Sequence, residues 1–481
     1  MELRQPQALW PLFLTEMWER FGFYVIQSLL IFYLTNFLNF ADAKAYLVLG
    51  EFTALIYIAP LLGGFFSDRV LGPRFAIIVG AIFLGLGYML LGLVGKDVLY
   101  VCLACIVLGN GLLKPNISSF LGEFYYADDP RRDAGFTLFY IGINIGGLLA
   151  LTSAGFIQEK FGWSSAFLSA AFGMILALLT FCFTFKTFEN RGMPIPRQQI
   201  KPKQLQLFAR KWNLIWLLII SFVVIYLLIR SARIAEYIQN VVGLIILVIM
   251  LYLAYRSDPR TRKKLYALII LIVSSIIFWG LFFQAFGSIN LFTERNVDRH
   301  LFGIIIPTPM FISLESIFII ILGPFLASLW KNLHMIKRDP TPGMKFSLAL
   351  FFTGIGMFFL LAGIHFHRPD DLINPIWILL FYLMLTLGEM LLSPIGLAMV
   401  TELSPPHLTG MMMGVWFMAL GYGGELSGFL ASKASIPKSL TDLATTNEIY
   451  FHTFWGNAVL AIVVGIALLI LSPWLKRLIR S

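Results

Sequence analysis

The chain has 481 residues, of which 58% are hydrophobic and 13% are charged, and its formal net charge is +10. Soluble domains have about 25% charged residues, so this composition excludes a water-soluble fold, and its high hydrophobicity excludes intrinsic disorder. In an integral membrane protein, an excess of basic residues is typical of loops that face the cytoplasm.

Fourteen apolar stretches along the chain approach or exceed the length of about 20 residues that a helix needs to cross a bilayer. Eight of them have at least about 18 residues and no charge, four admit one charge, and the stretches at 52–67 and 213–229 are uncharged but shorter. In chain order, the predicted spans are 21–41, 52–67, 75–95, 98–121, 134–158, 164–185, 213–229, 237–255, 265–293, 301–330, 346–364, 372–401, 408–432 and 453–475. The sequence therefore predicts an all-α integral membrane protein with 14 transmembrane helices.

The distribution of basic residues predicts the orientation of these spans. If the N-terminus is cytoplasmic and the loops alternate, 24 Lys and Arg residues lie on the cytoplasmic side and ten on the opposite side. Because cytoplasmic loops carry the excess of basic residues, we expect both termini to be cytoplasmic. Removing the pair of spans within 213–255 would leave this bias unchanged, so twelve spans fit it equally well.

Short segments of the first half recur in the second half in the same order. Residues 108–115 (LGNGLLKP) share five of eight identities with residues 387–394 (LGEMLLSP), and 146–149 resemble 423–426. Such a repeat predicts two related six-helix halves, an architecture of secondary transporters that bind substrate between the halves and work by alternating access. The predicted domains are an N-terminal six-helix bundle at 1–185, a linker with two additional transmembrane helices at 186–263, and a C-terminal six-helix bundle at 264–481.

Three charged residues share the first predicted helix, where an ionised group in hydrocarbon needs a partner or an aqueous cavity. Glu16 and Arg20 form an i,i+4 pair, whereas Glu16 and Glu19 are spaced i,i+3. Two carboxylates therefore compete for one guanidinium. A functional cluster and an internal ion pair that only neutralises the helix both fit this pattern.

The remaining charges inside the predicted spans differ in sign between the halves. Lys114 is in the middle of its span, directly before Pro115, with no acidic residue within one turn, so it needs an anion from another helix or from a substrate. Glu315, Glu389 and Glu425 lie in the second half, which has no intramembrane Lys or Arg. A zwitterion fits this division, with its carboxylate toward the first half and its ammonium toward the second. Intramembrane carboxylates can also carry protons.

The segment 16–24, EMWERFGFY, resembles the ExxERFxYY motif of the proton-dependent oligopeptide transporter family, within the major facilitator superfamily. Further matches follow in family order over nearly the whole chain, at 57–69, 109–118, 139–146, 278–279, 388–397 and 412–417. The resemblance implies a major facilitator fold and import of di- and tripeptides driven by protons. It also implies a bacterial type of transporter, in which an inserted helix pair is typical.

The same resemblance implies roles for individual residues. Arg20 and Lys114 would bind the peptide carboxylate, and Asn144 and Glu389 the peptide amine and backbone. The full set implied to bind substrate is Arg20, Tyr24, Gln27, Tyr57, Lys114, Asn144, Trp279, Glu315, Glu389 and Trp416. The set implied to couple protons is Glu16, Glu19, Arg20, Glu315 and Glu389. Asp68, Arg69 and Arg74 match the cytoplasmic loop motif of the superfamily and would latch a gate.

Four positions depart from the family pattern. Phe23 replaces the first tyrosine of the motif, and Gln27 stands where many members carry a second carboxylate-binding arginine. Phe283 occupies the place of a common acidic residue that is implicated in proton coupling, and Glu315 stands where an asparagine usually meets the peptide amine. We therefore hypothesise that Glu315 or Glu389 supplies the titrating group that Phe283 cannot.

These observations favour a proton-coupled peptide symporter in the plasma (inner) membrane that functions as a monomer, with the proton as coupling ion and no cofactor. A transporter of another small zwitterion or anion on the same fold is the nearest alternative. A receptor or channel is an alternative of a different class. An enzyme is not expected, because no catalytic constellation or nucleotide-binding motif emerges from the sequence.

Overall fold

The computed structural model describes residues 4–126, 129–194, 211–301, 303–336, 338, 340–367, 371–405, 408–440 and 442–480. Part of the predicted linker, residues 195–210, lies outside this description. Helices make up nearly all of the described chain, because a helix satisfies its backbone hydrogen bonds within one segment in a medium that offers none.

The helices follow one another with short connections, and one hairpin interrupts them. They are α1 (Leu9–Phe32), α2 (Asp42–Phe66), α3 (Pro73–Leu93), α4 (Leu99–Gly122), α5 (Arg132–Phe183), α6 (Lys211–Arg230), α7 (Ala232–Arg256), α8 (Pro259–Phe282), α9 (Ser288–Asn296), α10 (Thr308–Met335), α11 (Pro342–Phe366), α12 (Ile376–Leu403), α13 (Thr409–Ser432) and α14 (Leu443–Arg480). The hairpin consists of the antiparallel strands β1 (His300–Leu301) and β2 (Ile304–Ile305).

The number of long helices agrees with the number of predicted spans. Within the described residues, thirteen helices have at least 20 residues, and Gly162, with φ +84°, kinks α5 and divides it into two. Eleven helical segments of the described chain are long and apolar enough to cross a membrane. The predicted all-α membrane architecture is therefore confirmed, and α1, with three charged residues, is not among the eleven.

Several predicted boundaries were wrong. The first helix begins at Leu9, twelve residues before the predicted span, because its charged residues continue the helix instead of preceding it. The apolar run 265–293 is broken by a 3₁₀ turn at Phe283–Phe286. The span predicted at 301–330 begins only at Thr308, because the β-hairpin takes the preceding residues.

The chain divides into two compact units that differ from the predicted halves in their boundaries. The first unit contains the residues up to Tyr33 and Leu55–Ser231. Within it α1 packs on α5, α3 packs on α4 and α5, and α4 contacts α6. A Cβ atom added at Gly80 would lie 2.7 Å from the carbonyl oxygen of Gly109, so α3 and α4 approach closely only because both residues are glycine.

The second unit contains Leu34–Ala54 and the chain from Ala232 onward, and it therefore includes the first half of α2. In this unit α11 packs on α12 and α14, α8 packs on α13 and α14, and α10 contacts α12. The inserted helix α7 contacts α8 and, less extensively, α13. A Cβ atom at Gly50 would lie 2.8 Å from the Cα of Gly428, which brings α2 and α13 close together.

Candidate functional site

The three charged residues of α1 form a buried network in the first unit. Arg20 donates from Nε and Nη2 to the two carboxylate oxygens of Glu19. Its Nε atom also lies 3.6 Å from Oε1 of Glu16. The three residues are 6%, 0% and 1% exposed. The bidentate pair therefore joins neighbours in sequence, and the i,i+4 pair expected from helix geometry is the longer contact.

Lys114 of α4 lies inside the membrane and needs an anionic partner, and Glu16 is that partner. Its Nζ atom lies 2.9 Å from Oε1 of Glu16, so one carboxylate oxygen faces both the ammonium and the guanidinium of Arg20. The other oxygen, Oε2, is buried without a hydrogen bond in the part of the chain that the structure describes. The Lys114 side chain is 34% exposed, which leaves the ammonium accessible to a second anion.

Asn110 belongs to the same network, and the sequence reasoning missed it. Its Oδ1 atom accepts a hydrogen bond from Nη2 of Arg20 at 3.3 Å, and its Nδ2 atom donates to the carbonyl of Ile56 at 2.9 Å. It lies one turn before Lys114 on the same face of α4, since i and i+4 are neighbours on a helix. An amide at this spacing from an intramembrane lysine was the available signal.

The other binding residues predicted in the first unit lie in different surroundings. Tyr24 is near enough to Arg20 to interact with it electrostatically. Gln27 is 2% exposed and thus buried in the unit, whereas Tyr57 is half-buried. The side-chain amide of Asn144 donates to the backbone carbonyl one turn earlier in its own helix, at 2.9 Å.

Two carboxyl groups meet in the second unit. Glu315 of α10 and Glu389 of α12 share a side-chain hydrogen bond. Because two carboxylates both lack a donor, this bond requires a proton on one of them. Oε2 of Glu389 is buried and has no hydrogen bond, and no Lys or Arg interacts with either group within the described residues. The pair therefore holds one proton and has room for a further donor.

The predicted tryptophans pack into the second unit. Trp279 stacks on Phe283 with 5.8 Å between ring centroids, and both residues are at most 5% exposed. The indole Nε1 atom of Trp279 has no acceptor among the described residues. Trp416 is 2% exposed and packs against Phe346 with 6.3 Å between ring centroids. Phe283 thus occupies a hydrophobic aromatic cluster in which a charged side chain would be unsolvated.

The three residues predicted to latch a gate differ in their contacts. Arg74 is 6% exposed and donates from Nη2 to the carbonyl oxygens of Phe188 at 2.7 Å and Glu189 at 2.6 Å. This guanidinium fastens the segment that follows α5 to the start of α3. Asp68 and Arg69 are exposed, and the guanidinium of Arg69 lies 4.6 Å from the ring centroid of Phe65.

Comparisons with known proteins agree with this architecture over the whole chain. Residues 74–447 match the sequence model of the POT family (PTR2). The dipeptide and tripeptide permease B of Salmonella typhimurium is 34% identical over 484 residues, which cover 100% of this chain and 97% of that permease.

Two solved structures extend this likeness to the fold. A peptide transporter POT in complex with sulfate is 30% identical and has a TM-score of 0.86, covering 100% of this chain and 97% of that one. The tetrameric PepTSo2 is 27% identical and has a TM-score of 0.84, covering 98% of this chain and 99% of that one. The predicted family and the predicted major facilitator fold are thereby confirmed.

Proposed function

We propose that this chain, which belongs to the POT family, imports di- and tripeptides together with protons by alternating access. The chain is a multi-pass protein of the inner membrane. Its relatives include permeases named for dipeptides and tripeptides, and its two units carry complementary groups for the two ends of a short peptide.

The proposal rests on one observation, which is that Oε1 of Glu16 lies close to both the ammonium of Lys114 and the guanidinium of Arg20. A peptide carboxylate that reaches the partly exposed ammonium of Lys114 competes with Glu16 for it. Glu16 is 1% exposed, and a buried carboxylate that loses its cation is stabilised by taking up a proton. Peptide binding and protonation of Glu16 are thus coupled, with Arg20 and Glu19 as the fixed part of the network.

The carboxyl pair of the second unit supplies the other half of the mechanism. A peptide ammonium donates to Oε2 of Glu389, which is buried and has no hydrogen bond among the described residues, while the pair keeps its shared proton. The peptide and the proton are therefore bound at the same time, and the proton leaves the pair only after the peptide has been released into the cytoplasm. In this proposal the pair performs the coupling that the resemblance assigns to an acidic residue at the place of Phe283. Further contacts to the peptide are proposed for Tyr24, Gln27, Tyr57 and Asn144 of the first unit and for Trp279 and Trp416 of the second.

Uptake into proteoliposomes tests the proposal directly. With an acidic exterior, labelled dipeptides and tripeptides are expected to accumulate above the external concentration, and an uncoupler is expected to abolish accumulation. Single amino acids, tetrapeptides and peptides blocked at either end are expected to accumulate poorly. Lys160→Ala, which changes an exposed lysine of α5, is a matched control for Lys114→Ala and is expected to leave uptake unchanged.

The same assay separates the alternatives. Accumulation of another zwitterion or anion with no uptake of peptides would replace the proposed substrate and retain the transporter. Equilibration that never exceeds the external concentration would indicate a channel, and binding without uptake would indicate a receptor.

Orientation, oligomeric state and gating are further parts of the proposal. The basic-residue count supports cytoplasmic termini, which cysteine labelling of the two ends from outside the cell would test. A functional monomer is part of the proposal, whereas one structural relative is tetrameric. Measurement of the particle size in detergent and in nanodiscs tests the oligomeric state.

Asp68, Arg69 and Arg74 are proposed to hold a gate closed. The proton is the only coupling ion proposed.

A further inference from the structure

The second unit contains a crevice between the inserted helix α7 and the helices α2, α8 and α13. Its larger part is a cavity of about 710 Å³ and its smaller part a cavity of about 350 Å³. Asn240, Ile276 and Tyr422 line both parts, so the two adjoin each other. None of the residues proposed to bind peptide lines either part.

The larger part is acidic. Glu51 of α2, Glu236 of α7 and Glu425 of α13 all line it, and no Lys or Arg of the described chain does. Glu51 is only 4% exposed. Three carboxyl groups around one cavity in a membrane protein either take up protons or are stabilised by a positive charge among them. The described protein does not place one there.

The buried side-chain amide of Gln239 on α7 is a second, independent observation, because its oxygen lacks a hydrogen-bond donor among the described residues. Gln239 is 5% exposed, and its Nε2 atom donates to Oε1 of Glu51 at 2.7 Å. Its own Oε1 atom has no hydrogen bond within the described residues. Gln239 lies three residues after Glu236 on α7, so the two side chains are neighbours on the helix, and the amide of Gln239 contacts Glu51, which lines the cavity. A buried acceptor beside the carboxyl groups is therefore available to an N–H donor.

The smaller part of the crevice is apolar and leads away from the acidic part along α7. It is lined by Leu247 and Met250 of α7, Ile272 of α8 and Met418 of α13. Met250 follows Glu236 by fourteen residues, which is about 21 Å along a helix. The acidic part lies near the beginning of α7, and the apolar part reaches toward the middle of the membrane.

Among the described side chains, Lys433 is a cation near the rim of the acidic part. Lys433 directly follows α13 and is exposed, and its Nζ atom lies 5.0 Å from the ring centroid of Phe429, which lines the cavity. An anionic group bound at the rim would thus meet an ammonium at the level where the helices end. That is the level of lipid headgroups.

We propose that this crevice binds a membrane phospholipid with an ethanolamine headgroup. One acyl chain occupies the apolar part, the phosphate faces Lys433, and the primary ammonium lies among Glu51, Glu236 and Glu425 and donates to Oε1 of Gln239. The unused acceptor selects ethanolamine over choline, because a quaternary ammonium has no N–H to donate. The lipid then fastens α7 to the rest of the second unit.

Native mass spectrometry of the purified full chain tests this with lipids that differ only in the headgroup. Phosphatidylethanolamine, its mono- and dimethyl forms and phosphatidylcholine, all with the same acyl chains, are added in detergent. The wild type is expected to retain the ethanolamine lipid at least about tenfold more than the choline lipid, the effect of one charge-assisted hydrogen bond. Retention is expected to fall stepwise as methyl groups are added.

Variants locate the site. Glu425→Gln and Glu236→Gln are expected to reduce the headgroup preference to within about twofold, and Glu236 is exposed enough to be changed without disturbing packing. Glu448→Gln, at an exposed carboxyl of α14, is the matched control. Lys433→Gln is expected to reduce retention of the ethanolamine lipid and of the choline lipid by the same factor. Val273→Trp, at a half-exposed residue lining the apolar part, is expected to block the acyl chain.

Two results would overturn the proposal: equal retention of ethanolamine and choline lipids by the wild type, or an unchanged preference in both glutamine variants. Retention unaffected by Val273→Trp would place the lipid elsewhere and also overturn it. Dipeptide binding by the same variants is expected to equal that of the wild type, so failure here is distinguishable from failure of the proposed transport function.

Discussion

The charged groups of the two units are arranged in opposite ways. In the first unit two carboxylates and two cations, Glu16, Glu19, Arg20 and Lys114, satisfy one another in one network. In the second unit Glu315 and Glu389 share a hydrogen bond with each other, and no Lys or Arg of the described residues interacts with either group. A balanced network is stable without a proton and responds to an incoming anion by exchanging partners. A carboxyl pair is stable only with a proton, and its remaining acceptor can receive an incoming cation.

The largest effect is expected from removing the exchangeable cation of the first unit. Lys114→Met leaves Glu16 buried with only the 3.6 Å contact to Arg20. Uptake is expected to fall about 100-fold, since a hydrogen bond to a charged group contributes about 1.5–3 kcal/mol. The free energy of unfolding is expected to fall by about 2 kcal/mol, less than the ~3–5 kcal/mol of a fully buried pair, because Lys114 is 34% exposed. Proteoliposome uptake and thermal denaturation measure the two effects.

A double variant separates stability from transport. Glu16→Gln combined with Lys114→Met removes the unpaired charge, so stability is expected to return toward the wild type while uptake stays low. Recovery of uptake in the double variant would contradict the role of Lys114 in binding the peptide carboxylate.

The second largest effect is expected at the carboxyl pair. Glu315→Gln keeps a hydrogen bond to Glu389 but removes one titrating group. Proton-driven uptake is expected to fall about tenfold or more, whereas counterflow exchange, which needs no net proton movement, is expected to change by less than about twofold. Both rates can be measured in the same proteoliposomes.

The matched control for this variant is Glu448→Gln, which changes a carboxyl group that is 71% exposed in the same unit. It is expected to leave both rates unchanged. Equal losses of proton-driven uptake and counterflow in Glu315→Gln would show that the pair binds substrate without coupling protons. The two units would then differ in the charges they present to the substrate and not in how they bind protons.

An intermediate effect is expected at the amide that connects the network to the backbone. Asn110→Ala removes the hydrogen bonds to Arg20 and to the carbonyl of Ile56, so the free energy of unfolding is expected to fall by about 1–2 kcal/mol and uptake by a smaller factor than in Lys114→Met. Asn116→Ala, at a buried amide whose Nδ2 donates within α4, is the control. If both variants lowered uptake equally, the contact to Arg20 would have no separate role.

Much of the architecture follows from local pattern. Long apolar runs predicted the helices, and the i,i+3 and i,i+4 spacing correctly placed Glu16, Glu19 and Arg20 on one helix. The partners of these residues were not predictable in the same way. Helix geometry favours the pair of Glu16 with Arg20, but Lys114 of α4 competes for Glu16, and that competition depends on how α1 and α4 pack.

The boundaries and the crevice show the same limit. The apolar span predicted from residue 301 begins instead in a hairpin of strands β1 and β2, because Gly303 adopts a positive φ between the two strands. The contact of Glu51 with Gln239 joins positions 188 residues apart. No period or spacing within either helix indicates it, so only the packed structure reveals the acidic cavity.

The smallest effect is expected at Asp258, an exposed carboxylate. Its contribution to stability can be compared with those of the buried carboxyl groups. Asp258 caps α8, where its Oδ1 accepts from the backbone N–H groups of Arg260 and Thr261 at 3.0 and 3.1 Å. Hydrogen bonds from Thr261 hold the pKa of Asp258 below its ordinary value of 3.8. A carboxyl group with a lowered pKa in the folded state stabilises the protein above the pKa it has when unfolded.

The contribution of this cap is therefore expected to be complete above about pH 4 and to disappear as the pH falls through the lower folded pKa. Asp258→Ala is expected to lower the Tm at pH 7 by at most about 2 °C, with the difference from wild type shrinking as the pH falls below the ordinary pKa of the carboxyl group. Asp258→Asn, whose amide oxygen caps equally well, is expected to lose this pH dependence. A Tm difference that persists unchanged at low pH would mean that Asp258 acts through packing and not through its charge. The pH dependence at Asp258 could then not be compared with that of the protonated pair Glu315 and Glu389.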